Sequence, residues 1–153
     1  MVRMLAALAA LLVAGSALLF SGSATADTGP IGQVKSVGGD SAIVRGDDRI
    51  PATVGAAILE GDGIETGADG AIGITFRDNT VFSAGPNTRA SFERFSFDDT
   101  TMEGSFLTAI AAGTMTMATG DLADHDPDSV TVKTPTTVIG VRGTTFAVRV
   151  GED

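Results

Sequence analysis

The 153 residues include no cysteine, no tryptophan and no tyrosine, and lysine occurs only at Lys35 and Lys133. Without cysteine there is no disulfide framework and no thiolate for covalent or metal chemistry, so stability must come from burial and backbone pairing. The single imidazole is His125. No serine sits in a Gly-x-Ser-x-Gly elbow, and no glycine-rich phosphate loop ends in lysine. Basic residues beside exposed aromatic rings, the platform for stacked bases, are also scarce. Lys plus Arg number 10 against 19 Asp plus Glu, a net charge of −9 that repels nucleic acid and anionic lipid. These gaps exclude a nucleic-acid partner and leave little for catalysis: no enzyme and no cofactor is expected.

One long hydrophobic run is present. Arg3 precedes an uncharged stretch from Met4 to Phe20, and Ala24-Thr25-Ala26 follows with the small-x-small form that a signal peptidase accepts. Residues 1–26 therefore read as a signal peptide cleaved before Asp27. The competing reading, an uncleaved anchor, is disfavoured because the run is at the short limit for a span and no basic cluster follows it. Removing Arg3 lowers Lys plus Arg from 10 to 9, so the mature charge is −10. The expected location is periplasmic or secreted, with no membrane contact after cleavage. Residues 27–153 form one domain, long enough for a single core.

Twenty glycines and turn signals every 8 to 12 residues, such as Gly38-Gly39-Asp40, Gly61-Asp62-Gly63, Gly67-Ala68-Asp69-Gly70 and Gly85-Pro86-Asn87, suit many short strands. Between them apolar residues alternate, as in Ile72, Ile74 and Phe76, or Val130 and Val132, or Phe146, Val148 and Val150. Met102 to Ala112 is compatible with a short helix by propensity but reads as a strand, with Gly113 closing it. Met102, Met115 and Met117 read as core filler rather than a copper site. The fold class is all-β: a compact sandwich, a β-roll or a short solenoid-like domain of ten or more short strands. A faint echo between Leu59–Asp62 and Met117–Asp121 keeps the solenoid open. The expected core includes Val34, Ile64, Ile72, Ile74, Phe76, Phe106, Ile110, Val132, Phe146 and Val148.

Four pieces, in order, carry a family pattern. They are Gly32-Gln33-Val34 with Val37-Gly38-Gly39; Gly55 to Gly67, with Gly61-Asp62-Gly63-Ile64 and then Thr66-Gly67; Gly70 to Asn79; and Val132-Lys133-Thr134-Pro135 followed by Gly140-Val141-Arg142-Gly143-Thr144-Thr145-Phe146. Together, over residues 31–150, they resemble the FecR domain of bacterial envelope proteins. The resemblance implies a strand-rich periplasmic domain. In the family's named members it takes a signal from a TonB-dependent outer-membrane receptor and controls a sigma factor inside. Here no cytoplasmic segment precedes the hydrophobic run, so a binding or signalling module without the sigma-regulating segment is expected. Its partner would be an envelope protein, such as an outer-membrane receptor, or a cell-wall glycan. The sequence does not set the oligomeric state.

The contact residues expected on this basis are Asp62, Thr66, Arg142 and Thr144. For Arg142 two roles compete: a structural pair with Asp62 or Glu60 across the fold, or a ligand contact. Pro135 after Thr134 implies an extended pair at a strand end, and Gly140 with Gly143 implies a bulge or bend. The rival function is a secreted metal-binding protein or metal-dependent hydrolase. It would use Asp124, His125, Asp126 and Asp128, whose spacing offers oxygens to calcium or a mixed set to zinc. That run lacks the sixth-position glycine and twelfth-position glutamate of a calcium loop, and a solvated acidic loop is the plainer reading.

Overall fold

The computed structural model describes residues 29–142 and 145–151, so the signal-peptide reading of residues 1–26 lies outside the described residues. Twelve strands and one short helix follow in order. The strands are β1 (Gly32–Gly38), β2 (Ser41–Arg45), β3 (Asp48–Pro51), β4 (Ala57–Ile58), β5 (Gly63–Thr66) and β6 (Ala71–Phe76). They continue as β7 (Val81–Ala84), β8 (Arg89–Phe97), β9 (Gly104–Ala118), β10 (Val130–Lys133), β11 (Val138–Val141) and β12 (Thr145–Val150), with α1 (Asp121–His125) after β9. Among the described residues no helix is long and apolar enough to cross a membrane.

The sheet is a meander of four long arms, each folded over at the same level. β1 runs on into β2, β5 into β6, and β7 into β8, while β9 is itself continuous through the fold. On one side of the fold β1 pairs with β6, β6 with β7 and β7 with the second half of β9, all antiparallel. On the other side β2 pairs with β5, β5 with β8 and β8 with the first half of β9. The far edge of β9 takes β10, the parallel partner, and then β12. The result is a β-roll of two layers, with β4 on one margin of the first layer and β3 and β11 on the margins of the second. The solenoid alternative is set aside by this ladder order.

Glycine and threonine make the fold line. At Gly39 φ is +55° and at Gly113 it is +93°, conformations that favour glycine, and a Cβ at Gly39 would run into the backbone of Asp69. A Cβ at Gly113 would also run into Thr88. Gly113 therefore does not close a strand; it bends β9 inside its length. Hydroxyls replace the ladder bonds lost there. Thr66 Oγ1 donates to Gly85 O at 2.6 Å and accepts from Thr88 N–H at 2.9 Å, and Thr88 Oγ1 accepts from Thr114 N–H at 3.0 Å.

The core fills the space between the layers. Phe76 and Phe82 of the first layer meet Phe92 of the second at ring-centre distances of 4.9 and 5.1 Å, and Phe76 meets Phe106 at 4.7 Å. Edge-on rings at such spacing pack favourably beyond the area that they bury. Val34, Ile64, Ile72, Ile74, Phe76, Phe106, Ile110 and Val132 are buried as expected. Phe146 and Val148 are only half-buried, because β12 lies at the rim, opposite Met117 and Met115. Met115 and Met117 are core filler, whereas Met102 sits exposed in the β8–β9 turn with φ +62°. Thr108 Oγ1 is the one buried side-chain polar atom without a hydrogen-bond partner among the described residues.

Candidate functional site

The residues singled out by sequence do not converge on one site. Asp62, 2% exposed, lies under the β4–β5 connection and accepts from Arg45 Nε at 2.9 Å, Arg45 Nη2 at 2.7 Å and Leu59 N–H at 2.8 Å. The hydrogen bonds to Asp62 hold the Arg45 guanidinium above its ordinary pKa, against a smaller opposing effect of burial. The expected pairing of Arg142 with Asp62 or Glu60 is corrected here: Arg45 occupies Asp62, and Glu60 Oε2 accepts from Phe95 N–H at 2.9 Å. Arg142 instead meets Asp128 at 3.1 Å, both side chains being about three-quarters exposed. The reason is topological, since β11 lies four strands away from β5 on the second layer. Thr66 is buried in the fold line, with its hydroxyl satisfied by backbone. Thr144 lies outside the described residues.

Thr134 and Pro135 follow the end of β10 directly. Thr134 N–H donates to Thr137 O at 2.8 Å, making a tight turn between β10 and β11 with Pro135 at its second position, where a fixed φ is suited. Gly140 pairs in register with Thr131, so β11 has no bulge there.

The acidic run is tied down locally. Leu122 and Ala123 are buried, which winds Asp121–His125 into one helical turn, while Asp124 to Asp128 stay exposed to solvent. Asp121 Oδ2 accepts from Asn79 Nδ2 at 2.8 Å, and Asp126 Oδ1 accepts from Asp128 N–H at 3.0 Å. Among the described residues no three His, Asp or Glu side chains gather where they would hold one ion. Asp124, His125, Asp126 and Asp128 thus sit near one another in sequence without forming a ligand set.

What the sequence did not reveal is a trough on the outer face of the second layer. A straight cross-strand row runs through Val44, Gly63, Ser91, Ala109, Lys133 and Val138, one residue from each of β2, β5, β8, β9, β10 and β11. Their chain neighbours Ile43, Ile64, Ala90, Ile110 and Val132 point into the core. The small side chains at the centre of the row leave a trough of about 540 Å³ crossing the strands, with Pro135 at one end and the Gly46 and Gly61 turns at the other. Charges balance along its sides. Lys133 Nζ contacts Glu93 Oε2 at 3.1 Å, and Glu65 stands directly opposite Arg89. Period-two alternation in β8 and β10 puts Ser91 and Lys133 outward, but only the pairing order brings them together.

Comparison with known proteins comes after this geometry. No curated protein and no solved structure matches the chain. A family model described as FecR protein matches residues 62–153, the greater part of the chain, taking in β5 to β12 and with them most of the trough. The opening motif around Gly32–Gly39 precedes the matched stretch. The chain belongs to the FecR protein family.

Proposed function

We propose that the protein is an exported FecR-type module that binds another envelope protein on the outer face of its second layer. The trough carries this reading. A sheet face in a small domain is usually covered by long polar side chains, whereas here Gly63, Ser91 and Ala109 follow one another across the strands, with Ala111 beside them and the charges of Glu65, Arg89, Glu93 and Lys133 around them. Small residues let a partner's backbone approach closely, and balanced charges fix its register. A protein fits better than a cell-wall glycan. Sugar recognition draws on exposed aromatic faces, and here five phenylalanines are buried in the core while no tyrosine or tryptophan exists. Export is supported by the residue 1–26 pattern, and a signalling role by the family.

A photo-crosslinking side chain placed at Ala109, with Val54 (68% exposed) as control, tests the reading in intact cells. A discrete adduct is expected from Ala109 alone, on a chain whose mass begins at Asp27, and it should vanish when Ala111→Arg fills the trough. Equal labelling from both positions, or none from Ala109, would refute the site.

A further inference from the structure

Four strands border the roll, and they are not equally protected. β3 carries Asp48, Arg49 and Pro51, β4 has two residues, and β12 includes Arg149. Charges, proline and brevity are the usual guards of an open edge. β11, Val-Ile-Gly-Val, carries neither charge nor proline, and its described pairing is with β10 only. Its backbone phase follows from the adjoining turn. Thr134 N–H donates to Thr137 O, so bonded and unbonded pairs alternate from there: Lys133–Val138 unbonded, Val132–Ile139 bonded, Thr131–Gly140 unbonded. The bond from Phe106 N–H to Ser129 O at 2.9 Å agrees, since it turns the odd-numbered residues of β10 toward β9. The N–H and C=O groups of Val138 and Gly140 therefore face away from the sheet. Val138 is 64% exposed and Gly140 has open space around its Cα.

From this geometry we infer that the partner contributes an extended segment, uncharged at its centre and basic at one flank, which adds to β11 as a further strand. The inference rests on the trough reading, because Val138 ends the trough's row and an added strand would prolong that row. The flank chemistry comes from the loop before β10. Asp128, which contacts Arg142, and Asp126 beside it stand at the Val141 end of the edge. A second copy of the chain fits poorly. Four residues of edge bury far less than the roughly 800 Å² per partner of a stable interface, and both copies would carry the same strong negative charge.

The test uses the mature chain and a blocked heptapeptide, Lys-Thr-Val-Thr-Val-Thr-Lys, with amide hydrogen exchange read residue by residue. The peptide is expected to slow exchange at Val138 and Gly140 by roughly tenfold or more, with β10 unaffected. Gly140→Pro removes an outward N–H while leaving the β10 ladder bonded, and Val138→Lys adds an edge guard. Each should abolish the protection at the remaining edge amide with an unchanged melting curve. No protection at millimolar peptide overturns the proposal. So does protection that appears without peptide, grows with protein concentration and accompanies a dimer mass, which would make a second copy the occupant. If Ala111→Arg removes the cellular adduct while peptide still protects Val138, both readings stand and the trough and the edge bind separately. Peptide protection with no adduct at all refutes the trough instead.

Discussion

Asp62 shows how a family-like residue can be structural. Its carboxylate is buried with three donors on it, whereas Arg45 keeps 41% of its side chain exposed. Removing the acid strands the Leu59 N–H and frees a cation, so Asp62→Ala is expected to cost about 3 kcal/mol. Arg45→Ala should cost less, because water can reach the vacated side. In a double-mutant cycle the pair should fall clearly short of the summed single losses, whereas Arg142→Ala with Asp62→Ala should be additive. Urea unfolding of the variants decides it, and coupling to Arg142 would contradict the pairing seen here. Thr108 gives the opposite sign. Its buried, unpartnered hydroxyl lies between Phe106 and Ile110 on the inward face of β9. Thr108→Val keeps the shape and removes the unmet polar atom, so a gain of about 1 kcal/mol is expected; a lowered melting temperature would show that the hydroxyl has a partner after all. From sequence, the alternation placed Thr108 inward beside two apolar neighbours. Nothing local gave Arg45 as the mate of Asp62, because the two lie 17 positions apart and only the β2–β5 register, ending at Val44 opposite Gly63, brings them side by side.

At the level of the elements, β9 is the strand on which the roll depends. Its first half reads as helix by composition, yet Phe106, Thr108 and Ile110 alternate with Leu107 and Ala109, and that period fits only a strand packed on one face. The alternation was legible; the continuity past Gly113 was not. Gly38-Gly39-Asp40, Gly67 to Gly70 and Gly85-Pro86-Asn87 look like ordinary reversals, because a reversal and a sheet corner need the same backbone freedom. Only the ladder shows that each joins two parts of one arm. Gly113→Ala puts a methyl at φ +93° against Thr88, with an expected loss of at least about 2 kcal/mol. Gly140→Ala, in open space on β11, should change stability little. Paired thermal melts compare the two directly, and equal effects would mean that β9 is not bent under constraint at Gly113.

Across the whole molecule, the two layers are not independent bodies that happen to pack. β1 and β2, β6 and β5, β7 and β8, and the two halves of β9 are each one stretch of chain serving both layers. Separating the layers would expose Phe76, Phe82, Phe92 and Phe106 together and would break the hydroxyl bonds of the fold line at Thr66 and Thr88. Neither layer keeps a covered face without the other, so no partly unfolded form with one layer intact has a core to hold it. Unfolding is therefore expected as a single transition, reversible without regard to redox conditions because the chain has no cysteine. Native-state hydrogen exchange is the discriminating measurement. Amides of β1 and β6 in the first layer and of β2 and β5 in the second should converge on one opening free energy as urea rises, while β11 and β12, each held by one neighbour, open earlier. Refolding should take milliseconds to seconds, since β1 must find β6 and β2 must find β5 across intervening chain. Two separate convergent levels for the layers would mean that the fold line is a hinge between domains rather than a crease in one.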